Sequence, residues 1–113
     1  MRLKAEIWVR AYIRACAVEA VPVMVVRHGD NDAGAVFIKI CRRDGSARLF
    51  GPAPSGLDGP ESGQRWIAQL DAPETSEADV DQFLDRQASF DPDLWVIEVE
   101  DPKGRHFLGD WLA

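Results

Sequence analysis

The chain has 113 residues, of which 46% are hydrophobic, and it carries a formal net charge of −6 at pH 7. A chain of this length can bury one core, its apolar runs are shorter than the roughly 20 residues that span a bilayer, and its acidic balance disfavours nucleic acid as a partner. Cys16 and Cys41 are too far apart in sequence for a zinc or redox motif, so we expect one cofactor-free cytoplasmic domain over residues 1–113.

The first predicted element is an amphipathic helix near residues 5–19. Apolar residues recur at spacings of three and four from Trp8 to Val18, which places them on one helix face. Glu6 and Arg10 lie on the opposite side and interrupt the apolar segment that a secretory signal requires. The prediction is a helix with one buried face.

Four strands are predicted after this helix. Residues 21–27 are apolar or β-branched, and residues 35–42 alternate between two faces. Shorter strands are predicted at 47–50 and 65–70. Turn residues stand between neighbouring strands, which indicates hairpin connections.

Two of the connecting loops have distinctive compositions. Residues 29–34, Gly-Asp-Asn-Asp-Ala-Gly, are typical of chain reversals, so the stretch 25–34 is predicted to end one strand and form a hairpin loop to the next. Residues 51–64 are rich in glycine and proline. They offer too little apolar surface to offset the entropy cost of ordering, and a flexible loop is predicted there.

The second half adds a helix and two strands. Residues 77–89 are predicted to form an acidic helix that Thr75 or Ser76 can cap, and strands follow at 94–100 and 105–108. The order α-β-β-β-β-α-β-β indicates an α+β fold, with a mainly antiparallel sheet of five to six strands and both helices packed on one face. The predicted core consists of Trp8, Ile38, Ile40, Phe83, Leu84, Ile97 and Val99.

Several separated segments resemble a known family. They read LKAEIWVRAYIRAC, VVRHGDNDAGAVFIKI, LFGPAP, FDPDLWVIEVED and GRHFL. The chain resembles, over nearly its full length, a family of short alphaproteobacterial proteins of unknown function. The resemblance implies one fold unit and a bacterial cytoplasmic setting, and it implies no catalytic residue.

Polar residues near two predicted strand ends form the first candidate site. They are Arg27, His28, Asp30, Asp32 and His106. Imidazole and carboxylate groups together can hold a metal ion, so a small metal-dependent hydrolase or nuclease-like enzyme is the alternative function. No close ligand pair fixes such a geometry, and aspartates beside glycines also serve ordinary turns. We therefore expect turn and strand-end roles, with no bound metal.

Two short motifs resemble parts of enzyme signatures. The stretch Arg27-His28-Gly29 resembles the motif of histidine phosphatases, but His106, the second histidine, stands in a different context. Asp32 and Lys39 resemble part of a magnesium-dependent nuclease motif, but Phe37 occupies the position that requires an acidic residue. Neither motif is complete, and both enzyme classes are disfavoured.

The region 71–93 is strongly acidic, whereas the first half of the chain is rich in arginine. Such a region can dock a basic surface on a partner protein or on a second copy of the chain. The candidate residues of this partner surface are Asp79, Asp81, Asp85, Asp91 and Asp93. Because no catalytic motif is complete, the sequence favours a non-catalytic protein-binding or adaptor module. A small-molecule sensor, which would need an apolar cavity under the 51–64 loop, is a further alternative.

Overall fold

The fold is one mixed β-sheet with a helix on each of its two faces. The structure is a computed structural model, which describes residues 3–54, 64–70 and 75–113. Within these residues no helix is long and apolar enough to cross a membrane. The elements are α1 (Ala5–Val18), β1 (Val23–Arg27), β2 (Val36–Cys41), β3 (Ser46–Pro52), β4 (Trp66–Gln69), β5 (Thr75–Ser76), α2 (Glu77–Phe90), β6 (Trp95–Glu100) and a short 3-10 helix (Gly109–Trp111).

The strand order across the sheet is β1-β6-β2-β3-β4, and the two-residue strand β5 pairs with β3. β2 and β6 run parallel, whereas the other pairs are antiparallel. The predicted α+β class, the mainly antiparallel sheet and the order of elements up to β6 are confirmed. β3 extends into the predicted loop 51–64, and residues 55–63 of that loop lie outside the described residues.

The two helices lie on opposite faces of the sheet, which corrects the prediction that both pack on one face. Ile38 and Ile40 of β2 belong to the apolar cluster that contains Trp8 of α1. Phe37, on the other face of the same strand, lies in a second cluster with Leu84 of α2. All but the last residue of β2 are buried. A strand that is buried on both faces needs cover on both, so each helix covers one face.

β1 and β2 are not neighbours in the sheet, so the stretch 25–34 does not form the predicted hairpin loop. β6 lies between them, because it pairs with β1 on one side and with β2 on the other. Most residues of β6 are buried, and a strand with apolar residues on both faces is best covered at an interior position. The loop instead contacts the start of β6, where Asp30 N–H donates to the Asp93 carbonyl at 2.9 Å.

The loop before β2 forms a turn, as predicted, and it also completes the start of α1. The Asp30 carboxylate accepts hydrogen bonds from the backbone N–H groups of Asp32 and Ala33, at 3.1 and 2.8 Å. Lys4, which precedes α1, offers no side-chain cap. Instead, the carbonyls of Asn31 and Asp32 accept from the first two N–H groups of α1 at 3.0 and 3.1 Å. The loop therefore satisfies donors that a helix start otherwise leaves unpaired.

The last predicted strand, residues 105–108, is irregular in the structure. The Asp101 carboxylate accepts hydrogen bonds from the backbone and the guanidinium of Arg105, which closes a tight turn after β6. Phe107 then adopts a φ of 56°, which a strand does not accommodate. The predicted core is otherwise well placed: Trp8, Ile38, Ile40, Leu84, Ile97 and Val99 are buried, and Phe83 is half-buried.

Candidate functional site

A buried lysine lies between the sheet and α2. Lys39 is 5% exposed, although lysine side chains are rarely buried without partners. Its Nζ lies 2.8 Å from Asp81 Oδ1, 3.0 Å from Glu77 Oε1 and 3.2 Å from Glu98 Oε1. We call these four residues the Lys39 cluster.

Local structure brings the members of the Lys39 cluster together. In the parallel pair β2–β6, Lys39 lies directly beside Glu98. The Ser76 hydroxyl accepts a hydrogen bond from Asp79 N–H and caps the start of α2. Glu77 and Asp81 stand four residues apart, which places them on the same side of that helix.

The three carboxylates keep the buried lysine charged. Burial alone opposes the charge of the Lys39 ammonium, but the hydrogen bonds that it donates to Asp81, Glu77 and Glu98 outweigh this effect and raise the pKa of Lys39 above its ordinary value. A lysine that acts as a base or nucleophile near neutral pH needs a lowered pKa. Lys39 is therefore held as a structural cation.

Cys41, two residues after Lys39 on the same face of β2, is also unreactive. Burial raises the pKa of the Cys41 thiol to about 12, the charge of Lys39 opposes this rise, and Glu98 and Glu77 add to it. The thiol lies 3.4 Å from Glu98 Oε1 and 3.6 Å from Glu77 Oε1, so it donates weak hydrogen bonds to both. Since the thiolate is the reactive form of cysteine, Cys41 has low nucleophilic reactivity.

This thiol chemistry leads to a first prediction. At pH 8, iodoacetamide is expected to alkylate Cys41 in the folded protein on the order of a thousandfold more slowly than an unperturbed thiol, because the thiolate fraction is so small. Peptide mass spectrometry over a time course gives the rate for each cysteine. The same protein in urea is the control, in which Cys41 is expected to react at the ordinary rate. Rapid labelling of Cys41 in the folded protein would contradict the assignment.

The Lys39 cluster and the adjacent Cys41 together contain donors that could ligate a metal ion, but the carboxylates already surround a cation. Among the described residues, Cys41, Glu77 and Glu98 offer ligand atoms within 4.8 Å of one another. The ammonium of Lys39 forms ion pairs with both carboxylates, and the thiol is protonated. A metal ion would have to displace the lysine and the thiol proton. The donor set fits the ammonium better than a metal.

A groove of about 600 Å³ opens beside the Lys39 cluster. Positive and negative side chains line it together. Arg105 contacts Asp101 at 3.0 Å and Glu19 at 3.9 Å, and its hydrogen bonds lower the pKa of the Asp101 carboxyl. Cys41 also lines the groove, and its thiol is protonated. The groove is therefore polar, its Arg105 is paired with acidic residues of the same chain, and its thiol is not an activated nucleophile.

The most exposed apolar stretch of the sheet is β1, which lies at one edge. Met24, Val25 and Val26 are consecutive, and they are 61%, 39% and 56% exposed. Within residues 3–54, 64–70 and 75–113, no segment pairs with the outer side of this strand. Edge strands usually carry charges, prolines, bulges or a covering segment that prevent pairing with other chains. In β1 such features lie only near its ends, with Pro22 just before the strand and a shift of register between Val25 and Arg27. An open apolar edge indicates an interaction surface.

The backbone of β1 offers hydrogen-bonding groups on this outer side. Glu100 N–H donates to the Pro22 carbonyl at 3.0 Å, just before the register in which Val23 lies opposite Val99. Antiparallel pairs alternate between hydrogen-bonded and non-hydrogen-bonded positions. The N–H and C=O groups of Val23 and Val25 therefore point away from β6, and each residue offers one donor and one acceptor.

The opposite edge of the sheet differs, because the carboxy-terminal segment covers the start of β4. Leu112 forms a parallel bridge with Trp66, and Ala113 N–H donates to the Trp66 carbonyl at 2.8 Å. Ala68 in the middle of β4 is exposed. It provides a matched control position for substitutions in β1.

Comparison with known proteins places the chain in a family. A family model described as "Protein of unknown function (DUF1491)" matches residues 3–109. The chain belongs to the DUF1491 family. This confirms the resemblance to a family of unknown function. A comparison with curated proteins finds no match.

Solved structures of the DUF1491 family share the fold. A crystal structure of a DUF1491 family protein from Caulobacter crescentus CB15 is 39% identical, with a TM-score of 0.79 over 100% of this chain and 99% of that chain. An NMR structure of a DUF1491 family protein from the same organism is 42% identical, with a TM-score of 0.80 over 100% and 98%. A protein from A. tumefaciens, solved in solution, is 34% identical, with a TM-score of 0.77 over 89% and 87%. These sources are alphaproteobacteria, as the resemblance implied.

Two of the predicted polar residues of this DUF1491 protein lie at the end of β1. Arg27 donates to the Pro92 carbonyl at 3.1 Å. The exposed ring of His28 lies edge-on to Trp95, with 4.0 Å between ring centroids. These contacts fix the chain where it leaves β1.

The other three predicted polar residues make separate local contacts. Asp30 serves the turn, and Asp32 Oδ1 lies 3.7 Å from Lys4 Nζ. His106 packs against Phe50 at 5.2 Å, and its Nδ1 accepts a hydrogen bond from the backbone N–H two residues on. Among the described residues, the group with metal-ligand spacing includes neither histidine. A metal-dependent role for these residues gains no support from their contacts.

The predicted acidic partner surface lies on α2 and just after it. Asp81 belongs to the Lys39 cluster, whereas Asp79, Asp85, Asp91 and Asp93 are exposed. Phe90, beside the last two, is 84% exposed. Docking of a basic partner on this surface stays a prediction.

Sequence reasoning missed the Lys39 cluster, although the sequence carries a signal for it. A lysine in the middle of an apolar strand needs a buried partner. Glu77 and Asp81 stand four residues apart at the start of the acidic helix, which indicates two carboxylates on one helix side. Glu98 in the neighbouring strand could be assigned only after the order of the strands was known.

Proposed function

We propose that the protein is a non-catalytic protein-binding module of the bacterial cytoplasm, and that it binds through the outer edge of β1. The observation that carries the proposal is the run of exposed apolar residues, Met24 to Val26, on an edge that no other part of the described chain pairs with. A partner strand that adds to such an edge gains main-chain hydrogen bonds, while its alternate side chains give specificity.

The chemistry of the reactive side chains supports a binding role rather than catalysis. Lys39 is charged and surrounded by carboxylates, and Cys41 is a protonated thiol. Burial lowers the pKa of His106, and the positive charge of Arg48 nearby lowers it further. The Nδ1 atom of His106 accepts a backbone hydrogen bond. Each group has a structural partner. Cys16 and Cys41 are both free, which fits a reducing compartment.

Photo-crosslinking in native cells tests the proposed edge. We expect a benzophenone amino acid in place of Val26 to form a covalent adduct with another polypeptide, because a strand added to β1 would lie beside that position. The matched control is the same amino acid in place of Ala68 on β4, where we expect no adduct. Gel mobility and mass spectrometry give the mass of each product.

The outcome at the two positions decides the proposal. An adduct at position 26 and none at position 68 supports binding by the β1 edge. No adduct at position 26, with the protein folded and the probe incorporated, rejects it.

A further inference from the structure

We propose that the strand that pairs with β1 is β1 of a second copy of the same chain, in antiparallel orientation. This inference rests on the proposed binding edge and names its partner. It is carried by three properties of β1, which are the arrangement of its backbone groups, its exposed side chains and the charges at its two ends.

The outward backbone groups of β1 are arranged symmetrically about Met24. Val23 and Val25 each direct an N–H and a C=O away from β6, one residue before and one residue after Met24. In an antiparallel pair with its two-fold axis at Met24, Val23 of one copy lies opposite Val25 of the other. All of these donors and acceptors are then paired, and no sequence other than that of β1 is needed.

The side chains at the two-fold axis are compatible with this pairing. Met24 lies opposite Met24 of the second copy at a non-hydrogen-bonded position, where side chains approach most closely. The side chain is now 61% exposed, and Val26 beside it is 56% exposed. Pairing removes apolar surface from water on both copies, and methionine adapts readily to such a contact.

The charges at the two ends of β1 favour the antiparallel orientation. Arg27, at one end, lies opposite Val96, whose side chain is on the α2 face of the sheet. Near the other end, Glu100 of the neighbouring strand β6 is exposed and pairs with Pro22, which precedes β1. It follows two residues after Glu98, on that same face. Antiparallel pairing brings Arg27 of each copy toward Glu100 of the other. A parallel pair would instead bring the two Arg27 side chains together.

The resulting dimer would continue one sheet across both copies. A two-fold interface uses the same surface of each copy, so the assembly closes at two chains. The contact consists of one short strand from each copy, which is smaller than a standard stable interface. We therefore expect a dimer whose population depends on protein concentration.

Charge substitutions at Met24 test the symmetry of the pair directly. Met24→Lys and Met24→Glu each place like charges opposite one another at the two-fold axis, and each is expected to weaken self-association by about tenfold or more. An equimolar mixture of the two variants places Lys opposite Glu and is expected to associate again. Sedimentation velocity over a range of concentrations measures all four samples, with the unsubstituted protein as the reference.

Ala68→Lys on β4 is the matched control, and it is expected to associate like the unsubstituted protein. Circular dichroism checks the fold of each variant, which we expect to be retained because Met24 is largely exposed. An unsubstituted protein that stays monomeric at every concentration overturns the inference, as does a Lys and Glu mixture that fails to associate.

The two proposals fail separately. A monomeric protein that still yields an adduct at position 26 with a different polypeptide rejects self-pairing and leaves β1 as a binding edge. A protein that yields no adduct at that position rejects both.

Discussion

Lys39→Met is expected to lower the free energy of unfolding by about 2–3 kcal/mol at pH 7. Removing one partner of a buried ion pair leaves uncompensated charge, which costs about 3–5 kcal/mol when every group is buried. The expected loss is smaller here, because the Glu77 and Asp81 side chains are 42% and 56% exposed. Urea denaturation followed by circular dichroism measures the change.

The pH dependence of this loss identifies its cause. The deficit of Lys39→Met is expected to persist through neutral pH and to shrink only at strongly alkaline pH, where the unsubstituted protein also loses the charge of Lys39. In the unsubstituted protein the pKa of Lys39 is raised, so its contribution is fully present below the unfolded value of about 10.4 and is lost only at higher pH. Lys103→Met, at an exposed position, is the control and is expected to stay within about 0.5 kcal/mol. Equal losses in both variants would contradict the role of the Lys39 cluster.

Trp66→Ala is expected to cost about 3–5 kcal/mol of stability, the usual range for removal of a buried tryptophan. Trp66 is 2% exposed and stacks on Trp8 with 3.9 Å between ring centroids. Its Nε1 donates to the Val36 carbonyl at 2.9 Å, so the side chain also joins β4 to the start of β2. Chemical denaturation followed by far-ultraviolet circular dichroism measures the loss.

Trp66→Phe separates packing from hydrogen bonding. The phenyl ring keeps part of the contact with Trp8 but leaves the Val36 carbonyl without its donor, so a smaller loss of about 1–3 kcal/mol is expected. A loss below about 1 kcal/mol for Trp66→Ala would show that the aromatic stack does not stabilise this part of the core.

Local patterns in the sequence predicted the elements well, because their causes are local. The alternation of β2 places Ile38 and Ile40 on one face, as the structure confirms. The Ser76 cap and the apolar spacing of α2 define a helix from Glu77 to Phe90, close to the predicted 77–89. These features depend on residues that are close to one another in the sequence.

The arrangement of the strands could not be predicted in the same way. Turn residues between β1 and β2 suggested a hairpin, but the sequence near that turn contains no information about β6, which follows about sixty residues later. The position of β6 between β1 and β2 places Lys39 beside Glu98 and leaves β1 at an edge of the sheet. Both the Lys39 cluster and the binding edge therefore depend on one long-range pairing.

The position of β6 also sets the order in which the molecule can fold. The interior strand between β1 and β2 is synthesised after both of them, so a nascent chain that ends before Trp95 cannot form either pairing. Before β6 is synthesised, β1 lacks its only neighbour among the described strands. The hydrogen bond between Asp30 and the segment before β6 is absent as well. Long-range pairing of this kind slows folding. We expect the amino-terminal half to remain without stable tertiary structure during synthesis, and the sheet to form in one cooperative step once residue 100 is available.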